Sequence, residues 1–513
     1  MSSLLKSSSV VGLMTLVSRV LGLVREMMLT RMVGAGGGMD AFLVALMIPN
    51  FGRRMFAEGA FSQAFVPVFT ETKTTRPHEE VQDLEAVVMG TLGGVLTLVT
   101  VIGCLCAPLL VWMFASGFAD DPAKELLSRG LLRWTFPYLM FISLTSMAGG
   151  VLNAYGRFAV PAFTPVIFNL CIIASAWIDS GSVQALAWAV FAGGIFQFLF
   201  QLPSLARLRL LPRPYFSLRD ARVRRIVSLM LPMMLGSSVA QLSLLLNSNL
   251  STHLGDGSVS WLYFANRLME FPLGIFSIAV GTAILPALSA HHATDSREHF
   301  SSTLDWSLRT ILVIGVPAAL GLTLLAGPLV ATLFGGGRFG ERDVAMTTYA
   351  LWAYAFGFLG FSFVKVLVPG FYARQQTALP ARYAIISLVI GMAVSLALFA
   401  WSRVQHWGAA HVALAFSTSL SAWINSALLY RKLRRDGVYT PAPQWGRYAL
   451  QLALASIAMS GVVAWMSAPL SHWMAAGTWL RVGWTSEIIF AAIVVYASAL
   501  WLCGLRPAQF RRH

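Results

Sequence analysis

Apolar runs of roughly 20 residues or more recur from one end of this chain to the other. Each is long enough to cross the hydrocarbon core of a bilayer as an α-helix, and this recurrence constrains the fold more than any single motif. Only 12% of the 513 residues are Asp, Glu, Lys or Arg, about half the usual soluble fraction. The longest polar gap, near residues 205–223, is too short for a soluble domain of ordinary size. The pattern predicts an all-α polytopic membrane protein that works within the bilayer.

Fourteen spans are expected, at about 8–33, 39–69, 86–116, 126–153, 158–180, 182–206, 223–252, 257–290, 303–334, 342–372, 378–402, 406–432, 445–468 and 483–504. The second and eighth are long and hold Pro49, Pro67, Pro272 and Pro286, which predicts tilt, kinks or partly extra-membrane helices. The N-terminus lacks a small-residue cleavage site after a clean apolar core, so it reads as a retained first helix. Cys104, Cys106, Cys171 and Cys503 all sit in apolar runs and read as buried small hydrophobes.

The net charge of +15 falls mostly in connections. Arg207, Arg209, Arg213, Arg219, Arg222, Arg224 and Arg225 cluster between spans six and seven. Arg431, Lys432, Arg434 and Arg435 follow span twelve, and Arg506, Arg511 and Arg512 end the chain. All fall on one side if both termini are cytoplasmic. The opposite connections, "GAGGG", "GFADDPAKE", "DSGS" and "HLGDGS", are poor in Lys and Arg, with Arg338 and Arg342 as exceptions. Contact with lipid headgroups explains the basic stretch 207–225 better than nucleic acid does.

The chain also repeats itself. Pro67 in "AFVPVFT" and Pro286 in "AILPALS" are 219 residues apart, and the same offset relates Pro161 to Pro380 and Ser18 to Ser237. This predicts two six-helix lobes, 1–206 and 223–432, joined by a basic linker 207–222. A basic loop 433–444 then leads to a further helix pair and tail, 445–513. Parallel repeats of this kind place a substrate site between the halves, near the midplane.

Ionisable residues inside spans are costly and mark pathways or binding sites. The cations are Arg19, Arg25, Arg31, Arg53, Arg54, Arg267 and Lys365; the anions are Glu26, Asp40, Glu58 and Glu270. Arg19 and Glu26 share a helix face, Arg54 and Glu58 have pairing spacing, and Arg267 and Glu270 are three apart. Arg31 and Asp40, near span ends, suit snorkelling or structural pairing. The surplus of +3 would be unfavourable around an empty cavity and suits an anionic substrate, because the arginine fork donates paired hydrogen bonds to phosphate. The nine histidines show no metal spacing, His291 and His292 lie in a polar loop, and "GAGGG" reads as a tight turn because no Lys-Ser/Thr follows it. No metal or cofactor is expected.

Several longer motifs carry a family resemblance: "SRVLGLVRE", "DAFLVALMIPNFGRRMFAEGAFSQAFVPVF", "LNAYGRFAVPAFTPVIFN", "GSVSWLYFANRLMEFPLGIFSIAVGTAILPALS" and "VKVLVPGFYARQ". Together they closely resemble the MurJ (MviN) family of bacterial lipid II flippases, over essentially the whole chain. The resemblance implies the multidrug/oligosaccharidyl-lipid/polysaccharide exporter fold, a cavity that opens alternately to each side, and a groove for a polyprenyl tail on the last two helices. It implies lipid II as substrate in the bacterial inner membrane and a transporter rather than an enzyme. The cavity residues it implies are Arg19, Arg25, Asp40, Arg53, Arg54, Glu58, Arg267, Glu270 and Lys365. Two departures stand out. Asn266 occupies a position that is often Asp in the family, and Gln376-Thr377-Ala378-Leu379-Pro380 replaces the usual Asp-x-Lys-Thr-Pro. The rival readings are a multidrug exporter of the same fold, an exporter of another polyprenyl-linked glycan, and a membrane glycosyltransferase. A cation exporter would be expected to carry excess cavity carboxylates, and a glycosyltransferase an acid/base pair in a sizeable external loop.

Overall fold

The computed structural model describes residues 2–55, 61–211, 213–293, 296–405 and 408–506. Glu58, Arg511 and Arg512, and the side chains of Ser237, His291 and His292, lie outside that description. The described residues form α-helices joined by short connections, with no β-strand beyond a single bridge between Gly336 and Phe339. Ten of the helical segments are long and apolar enough to cross a membrane, among the described residues.

The chain packs as two units, Met1–Val259 and Ser260–His513. In the first unit the helices are α1 (Ser2–Val33), α2 (Gly37–Met55), α3 (Ser62–Thr75), α4 (His78–Leu105), α5 (Ala107–Phe114), α6 (Pro122–Thr135), α7 (Tyr138–Ala154), α8 (Ala159–Ile178), α9 (Val183–Arg207) and α10 (Ala221–Thr252). The second contains nearly all of α11 (Ser258–Ala293), then α12 (Arg297–Leu324), α13 (Ala326–Leu333), α14 (Glu341–Tyr372), α15 (Ala378–Val404), α16 (His411–Arg435), α17 (Trp445–Met466), α18 (Leu470–Ala475) and α19 (Thr478–Leu502).

Helix limits repeat at the offset read from the prolines. α4 and α12 both begin and end 219 residues apart, as do α5 and α13. α8 and α15 begin 219 apart, and α1 and α10 end 219 apart. The breaks between α4 and α5 at Cys106, and between α12 and α13 at Leu325, have one cause. Pro108 and Pro328 each follow the break closely and lack the N–H that would continue the preceding helix, while remaining acceptable in the first turn of a new one. Two expected spans, 86–116 and 303–334, are therefore helix pairs. The expected span 126–153 is likewise divided into α6 and α7 at Pro137.

Connections are fixed by short polar side chains. Asp121 caps α6, accepting from the amides of Ala123 and Lys124, with Pro122 at the first helical position. Ser182 caps α9 and Asp220 caps α10 in the same way. Each unit has its own apolar core. Phe65, Phe69, Leu84, Val88, Met147 and Leu152 are buried in the first, and Leu304, Leu308, Phe371, Leu429 and Leu433 in the second.

Candidate functional site

In the first unit the arginines of α1 and α2 have different surroundings. Arg19 is half-buried and makes no hydrogen bond or ion pair among the described residues. Arg25, almost two turns further along, is held through both terminal guanidinium nitrogens. It pairs with the buried Glu26, donates to Asn169 Oδ1 of α8 at 3.0 Å, and lies over the Phe168 ring at 5.9 Å. Asn169 in turn donates to the Ser18 carbonyl at 3.1 Å, clamping α8 to α1. Glu26 therefore pairs with its neighbour Arg25; Arg19, which shares its helix face, makes no such pair.

Arg53 Nε donates to Asn50 Oδ1, one turn back on α2, at 3.1 Å. Arg53 and Arg25 both act electrostatically on the buried hydroxyl of Tyr138 in α7, so these two cations converge on one region of the unit. Arg54 is exposed and without a partner among the described residues, while Glu58, its expected partner, lies outside the description. Adjacent positions on a helix point about 100° apart, which accounts for the contrast between Arg53 and Arg54.

Asp40 is placed elsewhere. Its carboxylate is 1% exposed, accepts from the Gly257 amide at 2.8 Å and lies 3.7 Å from Lys124 Nζ. It ties the start of α2 to the connection before α11. The same end of the unit holds Ser116 against Asn249 and His253, each at 2.9 Å, and Gly117 N against Thr252 Oγ1 at 3.2 Å. The start of α2, the stretch 116–124 and the stretch 249–257 thus meet around buried polar groups.

In the second unit Arg267 and Glu270 form an ion pair at 3.2 Å, each side chain 43% exposed. Arg267 also lies over the Tyr263 ring at 5.2 Å, and Asn266 Nδ2 donates to Glu270 Oε1 at 3.0 Å. Asn266, the departure from the family pattern, thus donates to the remaining carboxylate at the position where an Asp would repel it. Lys365 on α14 is exposed and makes no polar contact among the described residues. No group of three or more His, Cys, Asp and Glu residues is arranged to hold a metal ion among the described residues.

Sequence reasoning missed Asn169, Tyr138, Tyr263 and the Lys124–Asp256 pair. Asn169 had a signal, as a lone amide in the apolar run "TPVIFNLC". Lys124 had none, because its partners lie 84 and 132 positions away in the chain.

A repeated bundle of long apolar helices with arginines inside its units defines a membrane transporter of the multidrug-exporter fold. A solved multidrug transporter described as an inward-facing MATE protein of the MOP superfamily superposes with a TM-score of 0.65 at 14% identity, covering 82% of this chain and 95% of that one. A solved lipid II flippase MurJ in an inward-closed conformation superposes more fully, with a TM-score of 0.76 at 22% identity over 95% of this chain and 97% of that one. The family described as lipid II flippase MurJ matches residues 29–482. A probable lipid II flippase MurJ of Vibrio cholerae is 43% identical, covering 98% of this chain and 97% of its relative. A lipid II flippase MurJ of Burkholderia cenocepacia is 40% identical over 97% of each. The chain belongs to the MurJ family.

Proposed function

We propose that this protein is a lipid II flippase of the bacterial inner membrane, moving undecaprenyl diphosphate that carries a disaccharide-pentapeptide, for peptidoglycan synthesis. The observation that carries the reading is the near-full-length identity to MurJ relatives, 43% and 40%. The protein transports and does not catalyse a chemical reaction. Both termini are cytoplasmic in this reading, which the arginine-rich connections support.

The diphosphate is bound by Arg19, Arg53 and Arg267, with Arg54 and Lys365 adding positive potential. Three features support this assignment. Arg19, Arg54 and Lys365 make no ion pair among the described residues. Arg53 and Arg25 both act on the buried Tyr138 hydroxyl, which concentrates positive charge in one region of the first unit. Arg267 has a carboxylate partner that is itself half-exposed, so the pair exchanges easily for a phosphate. Glu270, and Glu58 by its spacing, moderate cation repulsion when no substrate is bound. Arg25 positions α1 against α8. Neutralisation by the substrate then favours the change of access, and moving charge across the membrane couples it to the potential at about 2.3 kcal/mol per charge per 100 mV.

The test is complementation of a bacterium depleted of its own MurJ-family flippase. The wild-type chain restores growth, whereas Arg19→Ala, Arg53→Ala and Arg267→Ala each fail at normal protein level. Full growth with all three variants contradicts the diphosphate assignment.

A further inference from the structure

We propose that the second unit carries a binding site for an anionic glycerophospholipid, with one acyl chain in an apolar cavity beneath residues 439–445 and the phosphate at Arg434. The cavity has a volume of about 480 Å³, within the usual range for sites that take small molecules, roughly 300–1,000 Å³. Its walls are Leu308 and Leu312 of α12, Leu367 of α14, and Trp423, Ala427 and Tyr430 of α16.

The roof explains why the space stays open. Tyr439 and Trp445 cover it, and both donate to the buried Asp305 Oδ1, at 2.8 and 2.6 Å. Arg309 Nε holds the other oxygen at 2.8 Å, and the Thr440 amide donates to Ser301 Oγ at 2.9 Å. A roof pinned this way does not drop onto α14, so the cavity is preformed. Lined by apolar groups, it does not suit water, and within a membrane the abundant occupant is hydrocarbon.

Charge identifies the head that accompanies the chain. Ala427, Tyr430 and Arg434 follow one stripe of α16 at spacings of three and four. Arg434 Nη1 donates to the Tyr439 carbonyl at 3.4 Å, which brings the guanidinium to the edge of the roof. Arg431 and Arg435, on the same turn, are exposed. The nearby carboxylate, Asp436, is already engaged by Lys432 at 2.8 Å and Arg374 at 3.9 Å. The rim is therefore net positive, and an arginine fork there fits a phosphodiester. This site shares only Trp445 with α17 and nothing with α19, so it is separate from the groove expected on the last two spanning helices.

Native mass spectrometry of the full chain in detergent tests this, with phosphatidylglycerol and phosphatidylcholine of matched chains. Wild type retains phosphatidylglycerol in preference to phosphatidylcholine. Ala427→Phe, which fills the cavity from an exposed position, loses both lipids. Arg434→Gln, a surface change, lowers phosphatidylglycerol retention by about tenfold, the scale of one charge-assisted hydrogen bond, and abolishes the preference. Equal retention of the two lipids by wild type, or unchanged retention by both variants, overturns the proposal. Preferential retention of undecaprenyl phosphate over phosphatidylglycerol overturns it in favour of a substrate-tail site.

Discussion

The Lys124 ammonium lies 3.7 Å from the buried Asp40 carboxylate and 2.6 Å from Asp256, so one lysine joins the start of α2 to the connection before α11. The two arms have different worth. Asp40 is buried, whereas the Asp256 side chain is 67% exposed. Removing one partner of a buried pair costs about 3–5 kcal/mol, and an exposed pair contributes about 0–1 kcal/mol. Lys124→Met is therefore expected to lower unfolding stability by about 3 kcal/mol. Asp256→Asn is expected to change it by less than about 1 kcal/mol. Thermal unfolding in detergent distinguishes them, and equal effects would contradict the asymmetry.

Arg25 and Arg19 are expected to fail differently. Arg25→Ala removes the ion pair to the buried Glu26 and the hydrogen bond to Asn169 Oδ1 that joins α1 to α8, so protein level and melting temperature fall. Arg19→Ala removes no hydrogen bond or ion pair among the described residues and leaves protein level intact while complementation is lost. Immunoblotting beside growth assays separates the two. A stable Arg25→Ala protein would move that residue from a positioning role to the substrate.

Glu85 is fully buried, and neither carboxyl oxygen has a hydrogen-bond partner among the described residues. Its counterpart in the second repeat, 219 residues on, is Leu304, fully buried in the apolar core. Burying a polar group unpaired costs about 1–3 kcal/mol on mutational scales. Glu85→Leu is expected to stabilise the protein by about that amount, read as a raised unfolding temperature. Destabilisation would show that Glu85 has a use that outweighs its burial.

The basic linker docks on α4 through acid–base contacts that depend on pH. Arg222 donates to Asp220 at 2.8 Å and to Asp83 at 2.6 Å. Its hydrogen bonds hold the Asp220 carboxyl below the usual range, against the opposing effect of burial. A lowered folded-state pKa gives stability that is present above about pH 4, the ordinary aspartate value, and lost as pH falls through the folded value. Protection of the Arg222 and Val223 amides, taken as exchange relative to the unfolded-chain rate at the same pH, should fall in wild type as pH drops through the folded Asp220 value. In Arg222→Gln the loss of protection should begin nearer the ordinary aspartate value, and an unshifted profile would contradict the linkage.

Much of this protein was legible from pattern. Apolar length gives the helices, and the offset between Pro67 and Pro286 anticipates the matching limits of α4 with α12 and α5 with α13. The breaks at Cys106 and Leu325 were less legible, because an apolar run hides a proline that starts a new helix. The site was partly legible. Charge in a span flags Arg19, Arg25 and Asp40 alike, but whether an arginine is clamped or free depends on residues such as Asn169, 144 positions away. Asp40 shows the limit. Near the start of a span, a cavity carboxylate and a buried anchor look the same until Lys124 and Gly257 are brought beside it.

The central claim is movement of lipid II between leaflets. The most direct measurement is labelling of outer-leaflet lipid II with a membrane-impermeant amine reagent in cells depleted of this protein. The account predicts that labelled lipid II falls while total lipid II rises, and that both recover on re-expression of wild type but not of Arg53→Ala. Normal outer-leaflet lipid II after depletion, in cells with no second flippase, would contradict it.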